Sequence, residues 1–241
     1  MTDTPHEPWR SAGAPGGPPQ GLDYELLSRL AQRSGWQVKT QVVSGRRCLV
    51  ELEQGRADAT VGLSHSAARA AYLRYPMRDG QLDMNRVLRW DSYSLYHRAN
   101  APVQWDGKLL RLAPGEVVET LQGHSVADDL RALGVPVREQ GRSTEYALHR
   151  LLHGEISVAA LQTSHVDSLR ERLPAIQALV RAQPPLRQRP YFVVFSARFA
   201  KDHGAELPAL WAAFDAAARF PAYQRAARQL GAAGSALPEK R

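Results

Sequence analysis

One stretch constrains the fold more than any other: Leu49 to Arg69, LVELEQGRADATVGLSHSAAR, which reads as helix, stop, strand and helix start without a gap. Leu49 and Leu52 form the apolar end of a helix, and Gly55 stands where a left-handed C-terminal cap is wanted. Ala57 to Leu63 is a short apolar run rich in β-formers, the pattern of a buried strand. Ser64 or Ser66 can then cap a helix whose first turn carries Arg69. The stretch recurs. LVELEQGRADATVGLSH aligns without gaps on LHRLLHGEISVAALQTS at an offset of 99 residues, placing Gly55 on Gly154 and Ser64 on Thr163. Solenoids stack units of roughly 20–50 residues, so this spacing suits two similar α/β lobes instead.

A strand that ends in small polar residues and hands over to a helix start is a natural anion site. Free amides and the positive end of a helix dipole lie there, and Arg69 adds a planar, permanently charged donor fork. The expected guest is a carboxylate. The plain structural alternative is a first-turn arginine paired with Asp58 or Asp79.

Composition narrows the function classes. The chain has 241 residues, 44% of them hydrophobic, enough for one large core or two modest ones. No run approaches the roughly 18 apolar residues of a membrane-spanning helix. The net charge is +7, yet the basic residues are scattered among Asp and Glu. That field attracts small anions better than it fits nucleic acid, for which there is no motif or basic block. Cys48 is the only cysteine, which excludes an internal disulfide and a cysteine-based metal cluster, and it is expected to be a buried inert thiol. No His/Asp/Glu spacing resembles a metal site, and no cofactor is expected. The run MTDTPHEPWR lacks the apolar core of a secretory signal.

In chain order, residues 1–20 are Pro- and Gly-rich loop, in which Trp9 either covers a pocket or pins the loop to the core. Asp23 is expected to cap a helix ending at Gly35, followed by a strand from Trp36 to Val43 and the helix that leads to Gly55. Alternating strand and helix is the signature of a parallel sheet. Leu82 to Arg98 is long and extended, suited to crossing between lobes. A strand around Val117 to Leu121, a polar corner Gly123-His124-Ser125, a helix to Gly134 and a strand from Val135 repeat the alternation. After the second copy, Gln162-Thr163-Ser164 ends a strand, a helix runs to Pro174, and PPLRQRPYFVVFS offers a second crossing. The tail reads as two amphipathic helices broken at Pro221, with the last residues fraying. His65 and His124 suit surface or capping roles, and Trp90, Tyr93, Tyr96 and Trp105 suit packing near a crossing.

The ordered set Gly21-Leu22-Asp23, Gly35, Gly55, Asp58, Gly62-Leu63-Ser64, Arg69 and Tyr75-Pro76 resembles the extracellular solute-binding proteins of family 3, the type II periplasmic binding proteins. Asp106-Gly107-Lys108, Gly123, Leu151, Gly154 and Tyr191 to Ser196 continue it, so the likeness runs from about Trp9 to Gln229. It implies an α/β fold of two lobes joined by two hinge crossings: lobe 1 from residues 1–88 and 192–241, lobe 2 from 92–188, crossings near 89–91 and 189–191. By position, Gly62 and Ser64 look like ligand contacts, Arg69 like the carboxylate anchor, and Trp9, Val43 and Ser44 like pocket wall. Gly123, His124 and Ser125 look like the lobe 2 side of the carboxylate site.

Two departures qualify the likeness. Amino-acid binders of the family place an acid after the lobe 2 strand to receive the ligand's ammonium, whereas Gln162 stands here. The family's first strand, before Trp9, is absent or very short. The resemblance implies a monomeric periplasmic binding protein that is no enzyme and delivers a small anionic or zwitterionic ligand to an ABC importer. A cyclohexadienyl-dehydratase-like enzyme and a ligand sensor without transport are the alternatives. The first would need a general acid facing the pocket.

Overall fold

The computed structural model describes residue 6 and residues 9–11, 19–170, 172–221 and 223–224. Much of the N-terminal loop and the tail helix expected after Pro221 therefore lie outside the described residues. The chain divides into two compact units, Met1–Trp90 with Pro190–Arg241, and Asp91–Arg189.

In chain order, the first unit opens with α1 (Leu22–Ser34), α2 (Gly45–Glu53), β1 (Ala59–Ser64), α3 (Ala67–Ala70) and β2 (Leu73–Arg74). A small hairpin, β3 (Met77–Arg78) and β4 (Gln81–Leu82), precedes β5 (Arg89–Arg98), along which the chain enters the second unit. There follow the hairpin β6 (Gln104–Trp105) and β7 (Leu110–Arg111), then β8 (Val118–Leu121), α4 (Val126–Ala132), β9 (Val137–Gly141), α5 (Thr144–Leu152), β10 (Val158–Gln162), α6 (Thr163–Leu169) and β11 (Leu179–Arg181). The chain returns along β12 (Arg187–Ser196) to α7 (Ala197–Asp202) and α8 (Leu207–Ala218).

In the first unit β1 pairs antiparallel with β12, Ala59 facing Phe195 and Ser64 facing Tyr191, and the ladder shifts between Val61 and Leu63. Gly62 sits in that shift with φ 75°, a left-handed conformation costly for any residue with a Cβ. Two apolar clusters sandwich this sheet. One holds Trp9, Leu26, Leu30, Val61, Phe195, Leu210 and Phe214; the other holds Cys48, Leu52, Leu73, Phe192 and Val194. In the second unit β10 pairs antiparallel with β5 and parallel with β8, which pairs parallel with β9. Leu121, Leu148, Leu151 and Leu161 pack on one side of it, and Val118, Val126, Leu130 and Val158 on the other.

The internal repeat is built from matching parts. Ser44 and Ser143, themselves 99 residues apart, are the N-caps of α2 and α5 and accept from the amides of Arg47 and Tyr146. Both helices end in the same double hydrogen bond: Gly55 N–H donates to Leu52 O and Arg56 N–H to Glu51 O, while Gly154 N–H donates to Leu151 O and Glu155 N–H to Arg150 O. This is the Schellman pattern, and it explains why Gly55 (φ 65°) and Gly154 (φ 75°) are glycines.

Three local expectations fail for physical reasons. Asp23 does not cap α1; Gly21 holds the N-cap position, and the Asp23 carboxylate is fully buried against Arg89. No strand forms over Trp36–Val43, although Trp36 and Val38 turn inward and pack on the core. A strand needs a ladder partner, and residues 36–41 join no ladder among the described residues. Finally, α3 is one turn of four residues, too short for the helix dipole expected there to build up.

Candidate functional site

In the first unit the residues singled out by sequence gather at the end of β1. Ser66 caps α3 by accepting from the Arg69 amide, so Ser64 is released from capping. Arg69 folds back: its Nη1 donates to the Ser64 carbonyl at 2.8 Å and the Ser64 hydroxyl at 3.0 Å. The pairing with Asp58 or Asp79 considered for it is replaced by this contact with Ser64. Both residues are buried, Arg69 at 7% exposure and Ser64 at 2%. Tyr75 also donates its hydroxyl to the Ser64 carbonyl, at 2.9 Å, and its ring meets His65 edge-on. Burial pushes the Tyr75 phenol well above its usual range, so it remains a neutral donor. The guanidinium is thus held on a rigid strand end.

Behind this corner lies a second buried arginine. Arg89 Nη1 and Nη2 donate to the Asp23 carboxylate at 2.5 and 3.1 Å, and the guanidinium stacks 4.2 Å over the Trp9 ring. A Cβ on Gly62 would lie 2.1 Å from Arg89 Nη2, so Gly62 is also the residue that lets this pair approach the sheet. Trp9 is at 1% exposure within the core. Ser44 sits at the surface, on the amide it caps.

The second unit builds a different corner. Gln162 ends β10 and α6 begins directly at Thr163. The Thr163 hydroxyl meets that of Ser94 at 2.8 Å, and Ser164 donates its hydroxyl to Asp91 Oδ2 at 2.6 Å and its amide to Oδ1 at 3.3 Å. Asp91, buried at the start of the unit, escaped the sequence reading, because its partner is 73 residues away and nothing local marks it. Gly123 (φ 76°) turns the chain after β8, and its amide donates to Glu139 at 3.4 Å. His124 Nδ1 lies 3.1 Å from the Tyr93 hydroxyl, and Ser125, buried, occupies the N-cap position of α4. Among the described residues no three His, Cys, Asp or Glu side chains cluster as metal ligands, and no helix is long and apolar enough to cross a membrane.

Comparison with known proteins places this geometry. Residues 1–84 match the bacterial extracellular solute-binding proteins, family 3. No curated protein matches the sequence. Among solved structures, a histidine kinase sensor domain with similarity to periplasmic binding proteins superposes with a TM-score of 0.74 at 18% identity, over 97% of this chain and 94% of that one. An ancestral arginine-binding protein bound to arginine gives 0.74 at 13% identity, over 95% and 96%. The arginine-, lysine-, histidine-binding protein ArtJ from Geobacillus stearothermophilus gives 0.70 at 14% identity, over 95% and 93%. At these identities the likeness establishes the fold, which is that of the type II periplasmic binding proteins.

Proposed function

We infer that this chain, whose first 84 residues match the family 3 solute-binding proteins and whose fold is that of the type II periplasmic binding proteins, captures a small carboxylate-bearing metabolite without transforming it. The observation that carries this reading is Arg69: a buried, always-charged guanidinium held at the end of β1 by both oxygens of Ser64. Such a group suits two parallel hydrogen bonds to a carboxylate, each contributing about 1.5–3 kcal/mol.

Amino acids are the ligands named for several fold neighbours, which supports an amino-acid-like guest. Gln162 refines it. A neutral amide hydrogen-bonds an ammonium without neutralising it, so an organic acid or a modified amino acid fits better than a standard one. Delivery to an ABC importer from the periplasm is the role we assign. Sensing is the second reading, favoured by the likeness to a kinase sensor domain. The first test is a thermal-shift screen of amino acids, dicarboxylates, aromatic acids and polyamines on the wild type and on Arg69→Lys. A carboxylate at 100 times its Kd adds about 2.7 kcal/mol of stability to the wild type. Stabilisation by cations alone would refute the assignment.

A further inference from the structure

The C-terminal end of α5 carries two histidines on one face: His149 in the last turn and His153 at the C-cap. Residues four apart on a helix stand one above the other, and the chain's eight histidines hold no other pair at this spacing. Both side chains are exposed, and their rings stack with centroids 4.0 Å apart and an interplanar angle of 24°. Spacing alone left the pair out of the candidate metal residues, since two histidines four apart also suit any solvated helix face.

The structure adds a reason to reconsider them. His153 Nδ1–H donates to the His149 carbonyl at 2.9 Å, which fixes the tautomer of the neutral ring and leaves Nε2 with its lone pair. A ring nitrogen tied to a backbone carbonyl is the arrangement that orients metal-binding histidines and raises their basicity. The helix end also favours a cation, because the negative pole of the dipole lies there. Among the arginines close by, Arg150 pairs with Glu119 and with Glu155, and Arg98 Nη1 donates to the Leu151 carbonyl at 2.7 Å.

We propose that His149 and His153 form a two-nitrogen clip for a divalent transition-metal ion, Cu2+ foremost. Imidazole suits copper, nickel and zinc, and the affinity of a given nitrogen site peaks at Cu2+. At imidazole–metal distances of about 2.0–2.1 Å the two nitrogens must come to about 3 Å from each other. From rings already stacked at 4.0 Å, that takes a small side-chain rotation. Two protein ligands are fewer than the three or four that hold a resident metal, so the ion is exchangeable and water fills its other positions. This agrees with the lack of a three-ligand cluster among the described residues. The bound ion ties down the last turn of α5, where the His153 amide donates to the His149 carbonyl and the Gly154 amide to that of Leu151.

The test is a calorimetric titration of Cu2+ into the wild type, His149→Gln and His153→Gln, with electron paramagnetic resonance at one equivalent. The wild type should bind one Cu2+ and show two imidazole nitrogens in its spectrum. Each variant should bind at least tenfold more weakly, and because both positions are exposed it should melt with the wild type. Amide hydrogen exchange at His153 and Gly154 should slow at least threefold on adding Cu2+, in the wild type alone. Equal binding by the wild type and the variants, a wild-type spectrum with a single imidazole, or no stoichiometric binding at all would overturn the proposal.

Discussion

The two copies of helix, glycine and strand share their framework and differ in their chemistry. Both begin at a serine N-cap and end at a left-handed glycine with the same pair of hydrogen bonds. Past the strand they part: in the first copy a buried arginine leans on Ser64, and in the second a buried aspartate, Asp91, holds Ser164. Gly62 of the first copy, shaped around Arg89, corresponds to Leu161 of the second, a plain core residue. Repeated local grammar makes two similar scaffolds, and the few residues after each strand decide what each presents.

The sharpest way to break the comparison is Asp23→Ala, which strands Arg89 beside Gly62. Removing one member of a buried pair costs about 3–5 kcal/mol, and equilibrium denaturation should show the first unit failing while the second keeps its structure. Ser164→Ala acts on the other copy. It removes a hydrogen bond to a buried carboxylate and should cost about 1.5–3 kcal/mol in the same assay. The shared part is tested by Gly55→Ala and Gly154→Ala, each losing about 1–2 kcal/mol for a left-handed Cβ. The first should cost more, because its Cβ would lie 2.7 Å from the Arg198 chain, against 3.1 Å from Arg98 for the second.

The smallest effect is one of pH, and it belongs to the second unit. The His165 imidazole, its Nε2 3.8 Å from Glu145 Oε1, holds that carboxyl down to about 2 from an ordinary value of 4.5. The folded pKa is the lower one, so the contribution is present above pH 4.5 and is lost as pH falls through about 2. Glu145 is well exposed and solvent screens the interaction. Glu145→Gln should therefore be slightly less stable than wild type at pH 6 and equal to it near pH 2.

What the sequence revealed was local. The two helix ends at Gly55 and Gly154, the strands after them and the buried Cys48 follow from patterns a few residues long. Asp23 was misread as a cap because its partner Arg89 lies 66 residues away, and the Asp91–Ser164 pair was invisible for the same reason. The strand expected over Trp36–Val43 has the right alternation, but alternation cannot supply a ladder partner. At the site, the sequence pointed to Arg69 and Ser64 yet could not show that they bind each other, since either serine could have capped α3.

The central claim is that the Arg69 fork, held by Ser64, grips a carboxylate. The most direct measurement is titration calorimetry of the carboxylate that best stabilises the wild type, into wild type and into Arg69→Lys of matched far-ultraviolet circular dichroism. Lysine keeps the charge and loses the planar fork. The account predicts affinity at least 100-fold weaker in Arg69→Lys, about 2.7 kcal/mol. Equal affinity in the two proteins would contradict it and return Arg69 to a purely structural role.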